Sequence, residues 1–220
     1  MVEWDIVWES RDEILSGLAT TLWILVLSVT FAFLFACIVV YRLGQGGVIA
    51  VGLRWLVSGM RTLPFLILVY VLYYGLPQLG LRMSAVTAGF IAMIAYHGAY
   101  FAEILRGSEM VLPRGYVEAA KAHGFRPVPT YLRIVLPQLI IRTRPILGNQ
   151  LIIALKDTAF LSIITVRELT AAANAMQAQY FVPTQAFIVV IGLYWIITIC
   201  IEVAINKAGV FGSRRGFENV

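Results

Sequence analysis

Between Glu13 and Arg42 the chain carries no charged side chain, and four later stretches, about 55–74, 84–105, 139–164 and 184–205, are nearly as apolar. Nothing constrains folding more. Crossing ~30 Å of hydrocarbon takes ~20 apolar residues, and a segment in lipid must satisfy its own backbone hydrogen bonds. The expected fold is therefore an all-α integral membrane protein with five transmembrane helices. Only 13% of the residues are charged, against roughly a quarter in soluble domains, and mean hydropathy is +0.84. The ~10-residue alternating segments of a membrane β-barrel are not seen.

Charge placement predicts the orientation. Thirteen basic residues fall in three places: Arg42, Arg54 and Arg61; Arg106 through Arg144; and Lys207, Arg214 and Arg215. Arg11, Arg82 and Arg167 lie in the alternate loops, and Lys156 lies within a span. Positive residues favour the cytoplasmic side, so the N-terminus is expected outside and the C-terminus inside. The net charge of +5 follows topology and does not indicate nucleic acid. One transmembrane domain is expected over 1–220. Residues 1–13 would form an outer interfacial segment anchored by Trp4 and Trp8, 14–205 the five-span core, 106–137 a cytoplasmic loop and 206–220 a cytoplasmic tail. An acidic start is also the opposite of a signal peptide's basic head. Cys37 and Cys200 sit in apolar runs and read as small buried hydrophobes.

The polar loop has its own pattern. Glu118-Ala119-Ala120-Lys121-Ala122-His123 are mostly strong helix formers, and Gly124 is the residue type that closes a helix in the left-handed region. A second short run, 129–135, begins after two prolines and is expected to stop at Pro137. A short helix, a tight turn and a second helix outside the hydrocarbon make a docking surface.

Glu-Ala-Ala, three residues, Gly, nine residues, then Ile134-x-Leu136-Pro137 resembles the loop of membrane subunits of binding-protein-dependent ABC importers. Arg61-Thr62-Leu63-Pro64, the run from Ala99 to Gly107, and Leu155-Lys156-Asp157-Thr158 narrow the likeness to polar amino acid permeases. It covers about 14–206. His97-Gly98, Ser108-Glu109 and Ala159 depart from the common pattern.

The resemblance implies a multi-pass protein of the bacterial inner membrane, surrounded by lipid. It implies a second permease subunit, the same or homologous, and a cytoplasmic ATPase dimer that carries the ATP and Mg. A periplasmic or lipid-anchored solute-binding protein would deliver a small amino acid. Glu118, Ala119, Ala120, Ala122, Gly124, Arg126 and Arg133 would dock on the ATPase. This chain has no Gly-x-x-x-x-Gly-Lys-Ser/Thr, and Gly44-Gln45-Gly46-Gly47 lacks the lysine. No enzymatic activity and no cofactor are expected on it.

Ionisable residues inside spans are expensive and mark function or pairing. Lys156 and Asp157 lie roughly 20 Å past Arg142 and Arg144 at 1.5 Å per residue. Asn149, Ile153 and Lys156 share one helix face, and Gln150, Ala154, Asp157 and Leu161 an adjacent one. Thr158, Ser162 and Thr165 continue the polar line. Such a stripe, Asn149, Gln150, Lys156, Asp157, Thr158 and Ser162, suits a zwitterion; pairing between spans is the alternative. Arg61, Pro64, Glu103 and Arg106 read as organisers of an inner gate, with Glu103 and Arg106 spaced for a local pair. His97 reads as a packing histidine, and no metal site is expected. Residues 166–182 read as an outer amphipathic helix with Val166, Leu169, Ala173 and Met176 on one face, and Glu168, Asn174, Gln177 and Gln179 in polar surroundings. A stand-alone channel or secondary carrier is the competing function. Against it, no internal repeat is found, and five spans are too few to enclose a path alone.

Overall fold

A computed structural model describes residues 2–214. Within them every regular element is helical: α1 (Val2–Glu9), α2 (Arg11–Gln45), α3 (Gly47–Thr62), α4 (Phe65–Tyr70), α5 (Ala85–Met110), α6 (Gly115–Ala122), α7 (Pro127–Thr130), α8 (Leu136–Asp157), α9 (Leu169–Tyr180) and α10 (Pro183–Arg214). By length and composition four segments can each cross a membrane: 11–45, 85–110, 127–164 and 183–209. Counting the bent pair 47–62 and 65–79 as one span makes five.

That bent pair corrects the expectation of a single span over 55–74. The two helices meet at 104°. Leu63 is extended at φ −82, ψ 138, as sterics require of a residue before proline. Pro64 then restarts the chain as the extended cap of α4. Glycine makes the preceding turn: Gly46 and Gly47 both have positive φ, and α2 runs past Arg42 to reach them.

Pro137 was expected to end a short helix, and it does not. The chain is helical from Pro127 to Ile164, with a π turn over Tyr131–Val135 and a 3-10 turn over Thr158–Ile164. Proline lacks an N–H and its ring crowds the carbonyl four residues back; a widened turn just upstream absorbs both demands. Another π turn, Val71–Gly75, starts at the same distance before Pro77. Between the candidate spans 85–110 and 127–164 lie residues 111–126, which hold α6.

The core has three sections along the bundle. Ala32, Ala36, Val40, Ala102, Leu105, Tyr131 and Leu139 fill the end near α6. Ile24, Leu25, Phe65, Met93, Leu155 and Leu161 fill the middle. Val7, Ile14, Leu169, Met176 and Val190 fill the end near α9. Small residues set the spacing of α2 and α5, because a Cβ on Gly98 would lie 2.8 Å from a Phe35 ring carbon and 3.4 Å from the Ala32 carbonyl oxygen. Gly98→Val is expected to lower stability by about 1–3 kcal/mol through overpacking, read as an earlier thermal unfolding midpoint in detergent.

The α9 segment matches its expected apolar face: Val166, Leu169, Ala173 and Met176 are all buried. Asn174, Gln177 and Gln179 are exposed. Glu168 is the exception, with 0% exposure. Cys37 is half-buried and Cys200 exposed, both as free thiols, so Cys200 is no core residue. Arg215 and the rest of the tail lie outside the described residues.

Candidate functional site

The loop after α5 closes with a complete helix-terminating motif. Gly124 N–H donates to the Lys121 carbonyl at 2.9 Å and Phe125 N–H to the Ala120 carbonyl at 3.0 Å. Gly124 has φ +78, the left-handed geometry this Schellman pattern needs. Glu118, Ala119, Ala122, Gly124, Arg126 and Arg133 are exposed. Ala120 differs: at 4% exposure it packs inward, and what remains accessible of it lines the hollow beside α6. Beside α6 lies an open apolar hollow of about 570 Å³, lined by Tyr116, Ala119, His123, Phe125 and Ile134 among others. Tyr131 anchors the restart of the chain by donating its hydroxyl to the Cys37 carbonyl at 2.8 Å.

On α5, Glu103 gathers two guanidiniums. Arg106 grips it bidentately, at 2.9 and 2.6 Å, and Arg61 approaches to 3.2 Å. Arg61 also lies over the Tyr100 ring, whose hydroxyl donates to the Arg61 carbonyl at 3.2 Å. Glu103 and Arg106 pair as their spacing predicts. The sequence did not show that Arg61, on the far side of the elbow at Pro64, joins them.

The polar stripe of α8 divides. Asn149 and Lys156 are exposed on the surface of this chain. Gln150 is buried, and its amide nitrogen meets His97 Nδ1 at 3.0 Å. His97 Nε2 faces Asp157 Oδ2 at 3.5 Å, too long for a well-formed hydrogen bond. Thr158 and Ser162 donate to the Leu155 and Ala159 carbonyls, each at 2.7 Å, so their hydroxyl protons are committed to their own helix. His97 packs as a core histidine at 0% exposure, yet it is also the link between Gln150 and Asp157. Phe65, placed by the elbow, completes the surroundings with Tyr96 at 5.2 Å and Phe160 at 6.2 Å between ring centroids.

At the opposite end Glu168 caps α9. Its carboxylate accepts Thr170 N–H at 2.9 Å, Ala171 N–H at 2.7 Å and the Tyr194 hydroxyl at 3.0 Å. Burial pushes this carboxyl above the usual glutamate range, while those donors pull it back. The neighbouring Leu169 N–H donates to Thr21 at 3.0 Å, which ties α9 to α2. Glutamate two and three residues before two N–H groups is a capping signal, masked in the sequence by the polar look of 166–182. Among the described residues no group of three His, Cys, Asp or Glu side chains gathers as for a metal.

A bundle of apolar helices with a broken span, intramembrane polar residues and a capped helix protruding from one end defines a multi-pass membrane transport subunit. The chain belongs to the family of binding-protein-dependent transport system inner membrane components, whose pattern matches residues 28–206. It is 32% identical over 158 residues to the probable glutamine ABC transporter permease protein GlnM of Bacillus subtilis, covering 70% of this chain and 73% of that one. It is 31% identical over 209 residues to the glutamine transport system permease protein GlnP of Escherichia coli, covering 93% and 95%. The octopine transport system permease protein OccM of Rhizobium meliloti is 30% identical, covering 82% and 78%. Among solved structures, an amino acid ABC transporter crystallised with histidines superposes with a TM-score of 0.81 at 26% identity, covering 92% of this chain and 95% of that one. An inward-facing MetNI methionine ABC transporter superposes at 0.68 and 17% identity, covering 89% and 95%, and bears on the fold alone.

Proposed function

We propose that this chain is the membrane-spanning subunit of an ATP-driven importer for a polar amino acid in a bacterial inner membrane, with its N-terminus outside and its C-terminus in the cytoplasm. Its relatives are named for glutamine, octopine and other amino acids, which supports that substrate class. ATP and Mg belong to a separate ATPase dimer. A second permease subunit completes the path, and an external binding protein delivers the solute.

The observation that carries this reading is α6. Its exposed Ala119 and Ala122 form a small-residue face next to Glu118 and an apolar hollow, held by a fixed cap at Gly124. Such a surface suits insertion into a cleft of the ATPase, flanked by Arg126 and Arg133. Arg61, Pro64, Glu103 and Arg106 form the inner gate, with the arginine on one side of the elbow pinned to the helix on the other. Proteoliposomes test this: uptake should require co-reconstituted ATPase and hydrolysable ATP. Uptake by this chain alone would instead establish the stand-alone carrier.

The exposed polar face of α8 supports a two-subunit core. Asn149 and Lys156 are exposed on the isolated chain, and lipid cannot satisfy them at membrane depth. That face therefore belongs to a watery path walled by the second permease. With Cys37 and Cys200 replaced, Asn149→Cys is expected to cross-link to a neighbouring permease subunit; labelling by a lipid-soluble probe without cross-linking would place this face in the bilayer.

A further inference from the structure

Two charges of opposite sign are left unpaired beside α3. Arg54, exposed on that helix, makes no ion pair among the described residues, and neither does Glu109 near the end of α5. Both line one hollow of about 370 Å³, together with Arg106, Leu43, Gly44 and Met110. Arg106 brings little free charge to it, because Glu103 already holds its guanidinium at 2.9 and 2.6 Å. The Glu109 carboxylate lies close against the end of α2: a Cβ on Gly44 would sit 3.2 Å from its Oε1. The hollow thus offers one cation and one anion, carried by different helices.

The two flanks of α3 set the level of this hollow in the membrane. Arg54 and Arg61 are two turns apart and share one line of the helix. The other flank borders a hollow of about 300 Å³ lined by Phe35, Leu56, Met60, Ile91, Ile94 and Ala95, with no charged side chain among them. Trp55, 75% exposed beside Arg54, is of the type that settles at the membrane–water boundary. Headgroups of the leaflet on the α6 side therefore meet the hollow that holds Arg54 and Glu109. Val48 and Met110, both exposed, give acyl chains an apolar rim to follow.

We propose that the hollow between α2, α3 and α5 holds the headgroup of a zwitterionic phospholipid in which a phosphate is joined to a primary ammonium, with Arg54 on the phosphate and Glu109 on the ammonium. A guanidinium matches two phosphate oxygens at once, and basic pockets between spans collect phospholipid headgroups. The carboxylate sets the choice among lipids. It repels a purely anionic headgroup, and it accepts N–H bonds that a quaternary ammonium cannot supply. The bound lipid ties α3 to α5 on the α6 side of the elbow at Pro64. This site is independent of which solute the chain carries.

Native mass spectrometry of the full chain, delipidated in detergent with the subunits that co-purify, tests it. Phosphatidylethanolamine, phosphatidylcholine and phosphatidylglycerol with identical acyl chains are the probes. The wild type should bind its first phosphatidylethanolamine about fivefold more tightly than either of the others, the size expected for one charge contact at the membrane surface. Arg54→Ala should weaken phosphatidylethanolamine about fivefold, and Glu109→Gln should abolish the preference for it over phosphatidylglycerol. Arg42→Ala, in the last turn of α2 and outside the hollow, is the control for general surface charge and should change little. Glycerophosphoethanolamine, the same headgroup without chains, should not displace the lipid at equal concentration. Equal binding of the three lipids by the wild type overturns the proposal, as does a preference that survives Glu109→Gln. A loss in Arg42→Ala as large as in Arg54→Ala overturns it too, leaving bulk attraction only. Displacement by glycerophosphoethanolamine overturns the lipid as occupant. If a variant fails to fold, the lipid series on the wild type decides alone.

Discussion

Gly124→Leu is expected to leave the permease inserted and assembled with its ATPase, while ATP-driven uptake falls about tenfold or more. Gly124 closes α6 at φ +78, where a residue with a Cβ pays roughly 1–2 kcal/mol. No atom lies within 4 Å of the position a Cβ would take, so the new side chain does not clash within the chain. It projects instead from the surface proposed to meet the ATPase. The variant therefore acts on α6 and on the docking cleft, and the spans, whose cores lie elsewhere, stay folded. Coupling between sites is typically 1–3 kcal/mol, or 5–150-fold, so misplacing α6 removes a large share of transport. The measurement is paired: hydrolysis of ATP and uptake of labelled amino acid in one proteoliposome preparation. Normal uptake would show that α6 does not transmit the stroke.

Glu168→Ala is expected to loosen the α9 end of the bundle by about 2 kcal/mol or more. It strands two backbone N–H groups, at about 1–3 kcal/mol for each buried group left unpaired, while the Tyr194 hydroxyl keeps Thr170 Oγ1 at 3.2 Å. The loss should appear as rapid hydrogen exchange in 166–182, with slow exchange kept in the middle of α2 and α5. The same residue predicts a pH effect. Burial raises the folded carboxyl above its unfolded value, so the fold binds the proton more readily than the unfolded chain. Its contribution is then greatest at low pH. It declines as pH rises from the ordinary glutamate range through the folded value, and is flat above that. Glu168→Gln should flatten the slope. A wild-type midpoint that climbs over the same interval would contradict the assignment.

What the sequence made legible follows from which forces act locally. The five apolar runs, the α6 helix and the glycine that ends it are visible because hydrophobic length and backbone chirality are properties of short stretches. The Glu103–Arg106 pair is visible for the same reason. The elbow was half-legible: Pro64 marks a break, but its angle depends on Phe65 packing against Tyr96, His97 and Phe160. Pro137 misled because the π turn that accommodates it carries no residue signature of its own. Glu168 misled because a buried carboxylate is rare, and its partner Tyr194 lies on another helix. His97 shows the same limit. Only the fold brings Gln150 and Asp157, on α8, to either side of its ring.

The uninterrupted path from Pro127 to Ile164 has a mechanical consequence. At 1.5 Å per residue, the thirty residues separating Pro127 from Asp157 span about 45 Å. A 5° tilt of such a rod about its α7 end would swing the far carboxylate by about 4 Å, more than a hydrogen bond's length. The widened turn at Tyr131–Val135 and Pro145 inside α8 are places where the regular backbone ladder of this stem is interrupted. A single stem thus joins the foot at Pro127 to Asp157 at its crown, and small angles at the one become whole contacts at the other.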